Sequence, residues 1–254
     1  MRLSRPGRST LLGTAAITGL VAVWWLLTAT VVAPLYFPSP LSVVEVFVER
    51  PAAMLEHVVV TSGRVLAGLG IGAVFGFVNA ISMARNKLLA EMSYPIIELL
   101  RPIPPLALIP FFILWFGLGD IGKVLLIAAG TSMILLVTTA EAIRRVPPVY
   151  VQAARTLGAS ERFIYRTVVT PAIVPSVFSA LRVAAAISFA LAIAAEYMGA
   201  QSGLGFLIMQ ASRTLQTDQI VAGIILIGLV SLALDYLIRA IGGRLLAWAP
   251  QSET

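Results

Sequence analysis

Apolar residues in this chain gather into long runs instead of alternating with polar ones. Six runs carry few charges, near residues 10–33, 62–84, 100–118, 122–142, 176–199 and 219–240. About 20 such residues in a helix cross a hydrocarbon core roughly 30 Å thick, so the pattern predicts an all-α membrane protein of about six transmembrane helices. Pro102, Pro104, Pro105 and Pro110 interrupt the third run, which predicts an irregular entry and a short helix. A break of that kind is tolerated at membrane depth only where protein or a cavity surrounds it. The first run, 11–33, contains Trp24 and Trp25. It is longer than the roughly 7–15 residues of a signal-peptide core, which predicts an uncleaved first helix.

The segments between the runs set orientation. With the N-terminus in the cytoplasm, Arg2, Arg5, Arg8, Arg85, Lys87, Arg101, Arg144, Arg145, Arg155, Arg162, Arg166, Arg182, Arg239 and Arg244 fall inside or at inner helix ends. Only Arg50, Arg64, Lys123 and Arg213 fall outside. The positive-inside rule then predicts a multi-pass protein of a bacterial inner membrane with both termini cytoplasmic and an even number of spans.

Three regions follow: residues 1–61 with the first helix and an outer loop, a core over 62–245, and a tail over 246–254. The outer loop carries Pro38, Pro40 and Pro51 and predicts a short interfacial helix able to touch an external partner. The inner loop over 143–174 is more explicit. Pro147 and Pro148 suit a helix start, Gly158 a helix stop, and Ser160 with Glu161 the cap and first turn of a second helix. Pro171 and Pro175 lead into the fifth span. The loop therefore reads as a folded helix–turn–helix.

Composition sharpens this picture. The chain of 254 residues is 59% hydrophobic and 12% charged, against roughly 25% charged in soluble domains, and its mean hydropathy is +0.94. The net charge of +6 is explained by basic inner loops, without nucleic acid. There are no cysteines, and His57 is the one histidine, so thiol chemistry and a His-rich metal site are excluded. No G-x-S-x-G elbow or acid–histidine set is present. The chain is not read as an enzyme, and no catalytic or metal residue is assigned.

Residues 152–171 read QAARTLGASERFIYRTVVTP. They resemble the cytoplasmic signature of the binding-protein-dependent ABC importer permeases: Glu-Ala-Ala, three residues, Gly, nine residues, Ile, one residue, Leu-Pro. Ala153, Ala154, Gly158 and Pro171 match in spacing, and Val168 stands for the Ile. Gln152 replaces the Glu and Thr170 the Leu, which removes an ion pair from the first position and leaves the turn. Residues 95–117 (PIIELLRPIPPLALIPFFILWFG) and 195–207 (AEYMGAQSGLGFL) are similar to the nitrate, sulfonate and taurine group of that family, with its taurine permeases nearest.

The resemblance implies the type I importer fold and a homodimer. It also implies a pair of cytoplasmic ATPase subunits and an extracytoplasmic solute-binding protein. ATP and magnesium would lie on the ATPase, with no cofactor on this chain. Gln152, Ala153, Ala154, Arg155, Leu157, Gly158, Ala159, Ser160 and Arg162 would form the coupling element, small alanines entering an ATPase groove and arginines meeting its acids. The implied cargo is a small anionic or zwitterionic solute, taurine or another alkanesulfonate first, with nitrate, bicarbonate or heterocyclic precursors as alternatives. An ATP-independent carrier predicts midplane acids and an internal repeat; one Glu near a span end and no repeat are found.

Residues 117–123, GLGDIGK, fit two nucleotide-loop patterns. Val124 stands where a phosphate loop needs Ser or Thr, and the segment joins two spans on the outer face, so it reads as a turn. Gly68, Gly72 and Gly76 form one smooth helix face, and Ala180, Ala184, Ser188 and Ala192 form another ending at Glu196. Such faces serve tight packing or line a narrow path, and the pattern leaves both open. Glu196 stands either as a gate residue facing the dimer axis or as a carboxylate hydrogen-bonded to a neighbouring helix. Asn79 is a weaker polar candidate for the pathway. Glu98 and Arg101, three apart, are spaced to pair on one helix face.

Overall fold

The computed structural model describes residues 6–30 and 36–246. The tail expected over 246–254 lies almost wholly outside them. Among the described residues the structure is helical: α1 (Pro6–Thr30), α2 (Pro40–Glu49), α3 (Pro51–Arg85), α4 (Lys87–Leu100), α5 (Ile109–Phe116), α6 (Asp120–Arg144), α7 (Pro148–Thr156), α8 (Glu161–Ile164), α9 (Thr170–Tyr197), α10 (Leu204–Arg213) and α11 (Thr217–Leu245). Five helical stretches are long and apolar enough to cross a membrane, and a bent pair, α4 with the segment ending in α5, brings the number to six if it counts as one span.

The outer loop contains the expected short helix, α2. Ser39 caps it, its hydroxyl accepting from the Ser42 amide. Pro51 then starts α3, eleven residues ahead of the apolar run, and makes α3 35 residues long. The third run also differs in shape from a simple short span. Its helical arm begins at Lys87, the chain bends by 87° at residues 101–104, and a 3₁₀ turn (Pro105–Leu108) leads into α5. Three of the four prolines cluster at or just after that bend, where they remove backbone donors and block a regular ladder. Eight residues of α5 cover only about 12 Å, too little to cross alone.

The centre of the bundle is α3 against α6. A methyl added at Gly68 would meet Ile127 Cβ at 2.6 Å and the Val124 carbonyl at 2.9 Å; at Gly72, Thr131 Oγ1 and the Ala128 carbonyl; at Gly76, the Ser132 carbonyl and Leu135 Cβ. The glycine face therefore serves backbone-close packing, one of the two readings the pattern allowed. The second small face does the same. Ala180, Ala184, Ser188 and Ala192 are all buried, and the three alanines lie within clusters that also hold Leu69, Leu135, Val65 and Ile127. α11 closes this layer against α9, where Asp235 bridges Arg182 (2.6 Å) and Arg239 (2.7 Å).

α8 runs through one i→i+5 turn (Tyr165–Val169) straight into α9. Pro171 and Pro175 thus lie inside a continuous helix and not before it. The wide turn sits directly ahead of Pro171, where the missing N–H interrupts the ordinary ladder.

Candidate coupling surface and translocation pathway

The loop over 143–174 folds as its residues dictate. Pro148 opens α7. Gly158, at φ +78°, ends it, and the amides of Leu157, Gly158 and Ala159 return to the carbonyls of Ala153, Arg155 and Ala154. Nothing lies within 4 Å of a side chain built at Gly158, so the glycine is required by the backbone turn and not by space. Ser160 then caps α8, its hydroxyl accepting from the Phe163 amide at 3.3 Å.

The loop is seated on the bundle by Ile164, Val169, Ile173 and Ala142, with Phe77 and Ile81 of α3. Ala154 and Ala159 face this seat. Gln152, Ala153, Arg155, Leu157, Gly158, Ser160 and Arg162 are exposed, Leu157 at 87%. Of the two alanines expected to enter a partner groove, only Ala153 points outward, since neighbours on a helix lie about 100° apart. Arg155 is engaged within the loop by Glu161 at 2.7 Å. Val149, Tyr150, Leu157 and Phe163 add exposed apolar surface to the same element. A link that the sequence did not reveal ties the loop to α3. The Tyr165 hydroxyl donates to the Ala84 carbonyl at 2.6 Å, and Arg85 lies 5.7 Å over the Tyr165 ring.

At the other end of α3, Glu196 is 1% exposed. Its carboxylate accepts from Arg64 (2.6 Å), from Thr61 (2.9 and 3.1 Å) and from the Gly205 amide (2.7 Å). Arg64, 6% exposed, also donates to Asp120 at 2.6 and 2.8 Å and to the Ser202 carbonyl at 2.8 Å. Gly203, at φ +117°, passes so close to the Glu196 carboxylate that a Cβ would collide with it, and its amide donates to His57 Nδ1 at 3.1 Å. This clasp joins α3, α6, α9 and the turn into α10. Glu196 is thus the hydrogen-bonded carboxylate of the two readings, enclosed within the subunit. Ser188 and Ala192 are likewise enclosed within the subunit.

Arg64, Asp120, Thr61 and His57 were not singled out from sequence. A signal was present, for an arginine at the start of an apolar run needs a carboxylate at its own depth, and Glu196 lies at a matching one. The GLGDIGK segment is a short turn over 117–119 running into the first turn of α6: it follows helix α5, Gly117 has φ +74°, and Lys123 Nζ donates back to the carbonyls of Leu118 and Gly119.

Between these two ends a cavity of about 750 Å³ opens beside α3 and α6. Asn79 lines it, and its amide donates to the Phe75 carbonyl at 2.8 Å. Arg101 lines it as well, from the bend after α4. The spacing of Glu98 and Arg101 does not produce an ion pair; among the described residues neither has one.

Apolar helices in backbone contact, a half-open cavity beside them and a folded, exposed element at one end are the features of a membrane transport subunit. The chain belongs to the family described as binding-protein-dependent transport system inner membrane component, whose sequence model matches residues 68–246. It is 31% identical over 245 residues to the taurine transport system permease protein TauC of Escherichia coli (strain K12), covering 93% of this chain and 88% of that one. It is 33% identical over 235 residues to SsuC of the same organism, named as an aliphatic sulfonates transport permease, covering 91% and 89%. In fold it is similar to a crystal structure of an amino acid ABC transporter, with TM-score 0.62 at 18% identity over 78% of this chain and 95% of that one. The protein is accordingly a permease of an ABC importer, with a type I importer fold, and a multi-pass inner membrane protein.

Proposed function

We propose that two copies of this chain form the pathway of an importer for taurine or a related alkanesulfonate. An extracytoplasmic solute-binding protein delivers the solute, and a pair of cytoplasmic ATPase subunits docks on the loop over 143–174. Both termini then lie in the cytoplasm, and ATP with its magnesium is held by the ATPase. The observation that carries the substrate reading is likeness over about nine-tenths of the chain to two relatives named for sulfonates. The docking reading is supported by the exposed element from Gln152 to Arg162, which is rigidly turned at Gly158 and Ser160 and seated on α3. Closure of the ATPase pair pushes both elements and biases a two-state helix bundle between inward- and outward-open forms.

The test is uptake into proteoliposomes containing the permease and its ATPase, with the solute-binding protein outside and ATP inside. Labelled taurine should accumulate only when all components are present. Accumulation without the ATPase would refute the importer mechanism, and ATP-driven uptake of nitrate with none of any sulfonate would refute the substrate.

A further inference from the structure

We infer that the cavity beside α3 and α6 is a sulfonate-binding site and that Arg101 is its anchor, an inference that rests on the importer reading and deepens it. Of the residues lining the cavity, Arg101 alone is charged, and no carboxylate faces it. The remaining wall is largely apolar, from residues such as Phe75, Leu100 and Ile187. A single cation against low-dielectric walls focuses a positive field on the space in front of it.

Several arginines at or within the helical spans are engaged, and those that are not, Arg162, Arg166 and Arg244, lie away from the cavity. Arg64 holds Glu196 and Asp120, Arg182 and Arg239 share Asp235, Arg145 reaches Glu141, and Arg144 lies over Tyr94. Arg101 has neither an ion pair nor a side-chain hydrogen bond among the described residues. A guanidinium has five donors in a flat fork that matches two oxygens of an oxyanion. Left open toward a cavity, it is a receptor for an oxyanion from solution.

Its position is held firmly. The Arg101 amide donates to the Ile97 carbonyl at 2.8 Å and the Ile103 amide to the Leu100 carbonyl at 3.1 Å, while Pro102, Pro104 and Pro105 restrict the following backbone. The bend places the side chain at the cavity instead of along a continued helix.

The polar remainder of the wall has the complementary character. Asn79, Ser132 and Thr138 each donate to a carbonyl of their own helix. Ser132 and Thr138 are left with acceptor lone pairs, and Asn79 with its side-chain carbonyl beside one remaining amide hydrogen; with the Ser93 hydroxyl they offer acceptors to an ammonium group. A cation at the bend and neutral acceptors on α3 and α6 fit a zwitterion with a sulfonate at one end and an amine at the other.

The experiment compares wild type, Arg101→Lys and Arg101→Gln, each purified with its ATPase and checked for monodispersity and for assembly with the ATPase. Binding of labelled taurine is measured on the nucleotide-free complex without the solute-binding protein, and uptake is measured in proteoliposomes with it. Wild type should bind taurine saturably, with competition from ethanesulfonate and none from a neutral alcohol of the same length. Arg101→Gln should lose that binding and at least about tenfold of uptake, while Arg101→Lys, keeping the charge without the fork, should fall between. An assembled Arg101→Gln complex that binds and transports like wild type overturns the anchor and leaves the importer reading intact. Should Arg101→Gln not assemble, Arg101→Lys decides alone, and unchanged binding and competition in it overturn the anchor. A wild-type complex that moves no sulfonate overturns the anchor together with the proposed substrate.

Discussion

Replacing Gly72 by alanine tests whether α3 and α6 are held at backbone contact. The added methyl lands on Thr131 Oγ1 and lies 2.6 Å from the Ala128 carbonyl and 3.0 Å from the Ser132 amide nitrogen. Thr131 has no room to turn away, being fully buried with its hydroxyl on the Ile127 carbonyl at 2.9 Å. The other two obstacles are backbone. Ordinary contact begins near 3.4 Å, so α6 must retreat by about 0.8 Å to clear the Ala128 carbonyl and further to clear Thr131, a rigid displacement of the kind that makes overpacking costly. Gly68 and Gly76 make equally close contacts one turn to either side, so the retreat unseats them too.

Overpacking costs about 1–3 kcal/mol where side chains can adjust; with backbone as the obstacle, about 3 kcal/mol is expected here. Gly70 is the internal control. It lies on the same helix with nothing within 4 Å of an added Cβ, and alanine there should be neutral or better by roughly 0.5–1 kcal/mol, because glycine weakens a helix interior. Thermal unfolding of the two variants, purified in detergent with the ATPase, should place Gly72→Ala well below Gly70→Ala. Identical melting of the two would refute the packing argument.

Two further outcomes follow from the ends of α3. Arg64→Leu should destabilise the subunit by about 3–5 kcal/mol, since it leaves Glu196 an uncompensated buried carboxylate, while Arg64→Leu combined with Glu196→Gln should recover part of that loss. Denaturation of the single and double variants checks it, and a double variant as unstable as the sum of the singles would contradict a clasp. Tyr165→Phe removes a hydrogen bond worth about 0.5–1.5 kcal/mol but keeps the ring beneath Arg85. The expected result is solute moved per ATP hydrolysed falling by half or more with ATP hydrolysis retained, and a wild-type ratio would show that the Tyr165–Ala84 bond carries no force.

What could be read from the sequence was local. The loop over 143–174 was legible because Pro148, Gly158 and Ser160 each fix the backbone through their own chemistry, within a few residues. The glycine face was legible as a face because its period is helical, although its partner, Thr131 on α6, was not. Charges were read as loop markers, and that rule set Arg64 aside as an outer cation. Its real partners lie 56 and 132 positions away, a separation no local pattern encodes. The starts of α3 and α4 were missed for a related reason. Pro51 and Lys87 open amphipathic stretches bearing Glu56, His57, Glu91 and Glu98, which lower local apolarity without breaking a helix.

The long α3 is the one element common to every part of this account. At 35 residues it is about 52 Å long. Thr61 and Arg64 hold the clasp in its first half, Gly68 to Gly76 press on α6, Phe75, Asn79 and Met83 line the cavity, and the Ala84 carbonyl takes the Tyr165 hydroxyl at the far end. A close-packed helix pair does not absorb a push by compressing, since interiors transmit strain instead of yielding to it. A displacement of the loop over 143–174 through Tyr165 therefore has to move α3 with α6, or break their contact. Moving them together carries the cavity wall and the clasp along. On the proposed docking, the glycine face is as much a requirement for transmission as for stability, because a pair spaced apart by side chains could slide at α6 and leave the clasp where it was.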